Sequence, residues 1–272
     1  MTKSLRLVAF LCLLSLVSLS GCKSTKDAEA DKPPEPVEKM YAKAAKELDA
    51  GQNTEAAKDF DAVEQNYPYS QWATRAQLMA GYAQYKNLKY DDALLALNRF
   101  IELHPGDDNI AYAYYLKALC YYEQISDVRR DQKMTEEALD SLKQVKQRFP
   151  DSAYARDASL KIDLTLDHLA GKEMEIGRYY LDRKQYQAGI NRFEKVIQQY
   201  QTTTQIPEAL ERLTEAYLAL GIREEARKNA AILGANYPQS TWYKDAYNLM
   251  NDKSLTTPGK PSVYDKTIGR IL

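Results

Sequence analysis

The chain is short of the residues that most often carry chemistry: its 272 residues include two histidines, three cysteines and two tryptophans. His104 stands in a turn before Pro105 and His168 in a charged helical stretch. Neither has a nucleophile or a second ligating residue at useful spacing, so metal sites and catalytic triads have no foundation. A glycine-rich phosphate loop is absent. Surplus charge is absent too: 37 lysines and arginines face 38 acids, a net charge of -1, whereas a nucleic-acid surface needs a clustered basic excess. The many carboxylates fall on helix faces, where they read as solubilising charge and i,i+4 partners of lysine and arginine. A binding or scaffolding protein is expected, with no enzyme activity, no metal and no nucleic-acid partner.

One apolar run stands out, and it is too short to span a bilayer, which takes about 20 residues. Lys3 and Arg6 precede an uncharged segment from Leu7 to Val17, followed by small residues and Leu19-Ser20-Gly21-Cys22. This is the signal-peptide pattern, and its end resembles a bacterial lipobox. That resemblance implies removal of residues 1–21 and a lipid on Cys22, as an S-diacylglycerol and an N-acyl chain. Lys23 follows, where an aspartate would signal retention in the inner membrane, so the resemblance implies an outer-membrane anchor with the body facing the periplasm. A plain secretory signal with an incidental cysteine is the alternative. Loss of residues 1–21 removes two cations and no acid, taking the net charge to about -3. Cys12 leaves with the signal and Cys22 carries lipid, which isolates Cys120 and excludes an intrachain disulfide even in an oxidising compartment. Leu116, Leu119, Tyr121 and Tyr122 around Cys120 indicate a buried thiol. From the lipidated Cys22 to residue 37 the chain has little to bury and three prolines, and reads as a flexible linker.

From residue 38 to about 250 the texture changes to alanine, leucine and tyrosine at helical spacing. Second helices end at Tyr67-Pro68, His104-Pro105, Phe149-Pro150 and Tyr237-Pro238, with Tyr200 in place of a fifth. Counting back, small residues fall at Ala56, Ala93, Ala138, Gly189 and Ala226. Phe60, Leu97, Leu142, Phe193 and Ala230 follow four residues later, then Val63, Phe100, Val145, Val196 and Leu233. Twelve residues before the small position lie Ala44, Gly81, Gly177 and Thr214 in repeats one, two, four and five. This resembles the tetratricopeptide repeat: helices approach to about 8–10 Å only where contact residues are small, and each pair covers its open face by stacking on the next. The fold expected is all-α, a right-handed superhelical solenoid of five helix pairs.

Two insertions break the regular spacing. Eight residues fall in repeat three, where the polar stretch Ile125 to Gln132 reads as a projecting loop. Fourteen fall between Pro150 and Gly177; this is close to four turns at 3.6 residues each, so the apolar face is preserved. One long helix from about Ser152 to Arg183 is predicted, with Gly171 and Gly177 as the positions to bend it.

The first helices of such pairs line a concave groove. Its positions are filled by Tyr41 in repeat one, Arg75, Tyr82 and Tyr85 in repeat two, and Tyr112, Tyr115 and Tyr122 in repeat three. In repeat five they are Glu208, Glu211 and Glu215. Tyrosines grip apolar-aromatic peptides with little entropy loss, and Arg75 can pair with a terminal carboxylate. The competing reading makes these tyrosines packing between repeats.

The lipobox, the five repeats and the stretches Asn98 to Pro105, Tyr112 to Leu116, Arg130-Asp131-Gln132, Gly171-Lys172-Glu173-Met174 and Asn191-Arg192-Phe193 together resemble the BamD (ComL) family of lipoproteins of the outer-membrane β-barrel assembly machinery. The resemblance covers the chain to about Met250. It implies a scaffold with no cofactor beyond the lipid on Cys22. Residues 38–150 (repeats one to three) would receive unfolded outer-membrane proteins through their C-terminal targeting sequence. Residues 151–250 (repeats four and five) would dock on the periplasmic domain of BamA nearest its barrel, alongside accessory Bam lipoproteins. Asn191 and Arg192 match the family's BamA-contacting pair. A scaffold for peptidoglycan enzymes, or a chaperone of secreted enzymes anchored in the inner membrane, are the alternatives. Residues 251–272 read as a disordered tail, or one whose final Ile268 to Leu272 docks on a partner.

Overall fold

The computed structural model describes residues 35–252. The signal, Cys22, most of the linker and residues 253–272 lie outside them. Eleven α-helices make up the described residues: α1 (Val37–Asp49), α2 (Asn53–Asn66), α3 (Gln71–Lys86), α4 (Tyr90–Leu103), α5 (Ile110–Tyr122), α6 (Lys133–Arg148), α7 (Ala153–Asp182), α8 (Tyr186–Gln199), α9 (Ile206–Ala219), α10 (Arg223–Asn236) and α11 (Thr241–Asn251). Each packs on its neighbour in sequence, and the odd-numbered helices also touch in succession. This is a tetratricopeptide solenoid of five pairs, with α11 closing the end against α9 and α10. Its core is a string of four local clusters, each shared between adjoining pairs. No described helix is long and apolar enough to cross a membrane.

The small residues do what their spacing requires. Ala56, Ala93, Ala138 and Ala226 are fully buried, as are Ala44 and Thr214, and repeat three fills its missing position with buried Ala118 once the eight-residue insertion is discounted. At Gly81 a β-carbon would come within 3.1 Å of Leu97, and at Gly177 it would collide with the Phe193 ring. Second helices stop on one conformation: Tyr67, His104, Phe149, Tyr200 and Tyr237 all have φ between -135° and -128° and ψ between 43° and 55°. A following proline disfavours the helical region for the residue before it; Tyr200 adopts the same geometry without one.

First helices restart on a serine cap. Ser70, Ser152 and Ser240 each accept a hydrogen bond at Oγ from the backbone N–H three residues on, satisfying one of the free donors of the new helix. In all three the sequence reads Pro-x-Ser-x-aromatic, which places Trp72, Tyr154 and Trp242 alike in the first turn. Helix α11 therefore starts as a sixth first helix. Its Tyr243 ring lies so close to α10 that a β-carbon on Gly234 would come within 2.5 Å of it.

The long helix α7 runs unbroken for 30 residues, with Ser152 and Arg183 as its caps. The loop of repeat three departs from expectation: it folds down onto the extra turns of α7. Lys172 Nζ donates to the carbonyls of Arg129 and Arg130 at 3.1 and 3.2 Å, Arg129 pairs with Glu175 at 3.4 Å, and Val128 packs toward Gly171. Gln132 is buried, donates to the Arg130 carbonyl at 3.0 Å and accepts from Thr135 Oγ1 at 2.9 Å. The lengthened helix supplies a surface, and the inserted loop covers it.

Cys120 is fully buried and its thiol is pushed up to about 12 by desolvation. In the lipidated protein it should resist a thiol reagent at pH 8 and react once per chain after denaturation; native labelling within minutes would contradict this burial.

Candidate functional site

The groove tyrosines come from α1, α3 and α5, and all six are half-buried. Tyr41 lies 5.3 Å from Phe60 and 4.9 Å from Trp72 between ring centroids, and the exposed Arg75 guanidinium sits 5.5 Å from the Trp72 ring. Tyr82 reaches Tyr112 at 6.4 Å, Tyr112 reaches Tyr154 at 5.5 Å, and Tyr115 stacks on Tyr154 at 5.2 Å. The phenol of Tyr115 donates to Asp157 Oδ2 at 2.5 Å. Tyr85 turns toward Tyr90, 5.9 Å away, and Tyr122 carries the Lys161 ammonium 5.0 Å from its ring. Burial raises the Tyr112 and Tyr115 phenols well above the usual range and pushes Tyr85 up to about 12, with Glu123 adding to the last. All three therefore act as neutral hydrogen-bonding rings. The tyrosines span neighbouring repeats and are only partly buried, so each ring packs against its neighbours while keeping some surface open to solvent.

Trp72 and Tyr154 belong to this strip and were not singled out by groove position. The recurring Pro-x-Ser-x-aromatic motif is the signal that marks them, and it marks Trp242 at the far end as well.

Repeat five differs from the open acidic groove that its three glutamates suggest. Arg178 bridges Glu175 at 3.1 Å and Glu208 at 3.0 Å, and Arg212 pairs with Glu215 at 2.9 Å and Glu211 at 3.4 Å while lying 5.5 Å from the Trp242 ring. With Arg129 on Glu175, these charges form one ladder from the repeat-three loop across α7 and α9 to α11. Glu211 is 4% exposed, and burial pushes its carboxyl up to about 8 despite Arg212 beside it.

Asn191 and Arg192 lie on α8. Asn191 is exposed and accepts from Gln187 Nε2 at 3.2 Å. Arg192 donates from one guanidinium nitrogen to Glu173 Oε2 at 2.9 Å, and Lys195 donates to Glu173 Oε1 at 2.6 Å. Burial alone would raise the Glu173 carboxyl, but the hydrogen bonds from Lys195 and Arg192 outweigh it and hold it below the ordinary carboxylate value. Three stretches far apart in sequence thus meet at one junction: Arg130-Asp131-Gln132 and its loop on Lys172, Glu173 beside it, and Asn191-Arg192 across α8. No group of three His, Cys, Asp or Glu among the described residues could hold a metal.

Those stretches are three of the five that carry the family resemblance, and comparison of whole chains agrees with it. The family model described as "YfiO: Outer membrane lipoprotein" matches residues 33–233. The chain belongs to the BamD family. It is 48% identical to outer membrane protein assembly factor BamD of Caulobacter vibrioides, over 93% of this chain and 84% of that one. Against the BamD of Rickettsia prowazekii the identity is 46%, over 92% and 98% of the two chains. The BamD of Neisseria meningitidis serogroup A is 36% identical over 85% of this chain and 91% of its own. Among solved structures, the crystal structure of MamA covers 75% of this chain and 97% of its own with 18% identity and a TM-score of 0.32.

Proposed function

We propose that the protein is an outer-membrane protein assembly factor: a non-enzymatic scaffold, held by lipid on Cys22 at the periplasmic face of the outer membrane. It receives unfolded β-barrel proteins and passes them to BamA, to which it docks. The observation that carries this reading is identity approaching one half to BamD proteins over nearly the whole chain. The geometry supports a division of labour. Residues 38–150 offer the aromatic strip from Tyr41 to Tyr122, continued by Tyr154 at the start of α7, with Arg75 near its beginning, suited to an extended apolar-aromatic peptide ending in a carboxylate. Residues 151–250 offer the charged junction around Arg192, suited to a folded partner domain; accessory Bam lipoproteins are further partners.

The experiment is purification from detergent-solubilised outer membrane. Wild type should co-purify with BamA, and Arg192→Glu should lose at least about nine-tenths of that recovery, because reversal places a second carboxylate against Glu173 and removes the cation. Undiminished BamA with Arg192→Glu would remove Arg192 from the interface. Photo-crosslinking from positions 82 and 115 to a C-terminal outer-membrane-protein peptide should give adducts; silence at both would return those tyrosines to packing alone.

A further inference from the structure

Repeat four contains a charge cluster that the solenoid architecture does not require. Glu173 stands four residues before Gly177, and the same position in the other repeats holds Met40, Gln77, Tyr114 and Leu210. Arg192 stands three residues after Gly189, where the others have Asp59, Ala96, Ser141 and Asn229; the place of Lys195 holds Ala62, Arg99, Gln144 and Ile232. Four repeats therefore pack the same crossing without this triad. Stability does not explain it either, since a buried ion cluster is often no better than apolar residues of similar volume. Glu173 is 7% exposed, yet Arg192 and Lys195 each keep 38% of their side-chain surface open to solvent. The carboxylate is inside and its two cations are at the surface.

We propose that Glu173 and Lys195 complete the docking site of repeat four, with Glu173 as the positioning residue that holds Arg192 and Lys195 side by side, and Lys195 as a second cation presented to the partner. This rests on reading Arg192 as a docking contact. The chemistry follows from the bonds on α8. Arg192 and Lys195 are three residues apart on one helix face, and each spends one donor on a different oxygen of the same carboxylate. A guanidinium has five N–H donors and an ammonium three, so both keep capacity for a second acceptor. Two cations against one anion leave the cluster one positive charge in excess, and two long side chains, each rich in rotamers, are ordered before the partner arrives. Ordering such side chains is part of what association otherwise costs.

The test measures binding of the isolated periplasmic domain of BamA to the full-length lipidated protein in detergent. Glu173→Gln should weaken binding about tenfold, Lys195→Met about threefold, and Glu173→Asp, which keeps the charge, by no more than about threefold. In an Arg192→Ala background, Glu173→Gln should cost no more than the threefold share of Lys195, because Lys195 is then the one cation left for Glu173 to position. Binding of Glu173→Gln equal to or tighter than wild type overturns the proposal. So does a full tenfold loss persisting in the Arg192→Ala background, which would mean that Glu173 acts on the fold. If Arg192→Ala itself binds like wild type, the docking reading fails, a result separable from a failure of Glu173 alone.

Discussion

Gly177→Ala should lower the melting temperature of the helical body by about 6 °C, corresponding to about 2 kcal/mol for a body of this size. In an exposed helix the same change would stabilise by up to about 1 kcal/mol. Here the added methyl would overlap the ring of Phe193, which is fully buried in the largest core cluster and has no free direction to move. The backbone of α8 presses from the same side: the carbonyl of Gly177 itself lies 3.3 Å from where a β-carbon of Gly189 would stand. Two internal controls sharpen the expectation. Gly81→Ala is tight only against the Leu97 side chain, at 3.1 Å, with Ala96 Cβ at an ordinary 3.6 Å, and should cost less than half as much. Phe193→Leu should partly rescue Gly177→Ala, so that the double variant is more stable than the sum of the single losses allows. A melting temperature for Gly177→Ala equal to or above wild type, read by circular dichroism, would show that α7 and α8 can separate at this crossing.

The second large effect is a pH dependence centred on Glu211. Its carboxyl rises from the ordinary 4.5 to about 8, chiefly because it is buried, with Glu215, Asp245 and Glu208 adding to the rise and Arg212 opposing it. Arg212 makes its closest ion pair with Glu215. The folded state therefore holds a proton on Glu211 that the unfolded chain gives up near 4.5. Its contribution to stability is complete below that value and is lost as pH climbs towards 8, at up to about 1.4 kcal/mol per pH unit. Glu211→Gln mimics the protonated form. It should melt with the wild type at pH 4.5 and about 15 °C above it at pH 8.5, since about 5 kcal/mol is at stake between the two pH values and solution acidity can no longer change that position. If the two proteins melt together at both pH values, Glu211 is ionised in the folded state and the repeat-five ladder is solvated.

Much of this molecule could be read from residue types and spacing. The limits of α7 came within one residue, because fourteen extra residues keep the apolar face in register and Ser152 is a natural cap. The burial of Cys120 followed from its neighbours. What escaped depended on distance in sequence. Val128 and Gly171 are far apart along the chain, and nothing local in the polar stretch Ile125 to Gln132 indicates that Lys172 will hold its carbonyls. Likewise Glu208, Glu211 and Glu215 are spaced as a groove-facing row; Arg212 on their own helix pairs with all three, but the second cation on Glu208, Arg178, comes from α7. The half-repeat at α11 was hidden for another reason: an anchor set at the ends of second helices cannot find a first helix that has no second.

The seating of the repeat-three loop on α7 also bears on how the chain tolerates changes of length. The eight extra residues and the fourteen extra residues are two sides of one joint, pinned by Lys172 and by the Arg129–Glu175 pair. Trimming the loop alone would bare the upper turns of α7, and trimming the helix alone would leave the loop with no seat. Grafts or deletions at either segment should therefore succeed as a matched pair and fail singly, which makes this joint the natural boundary for exchanging halves between relatives of different repeat length.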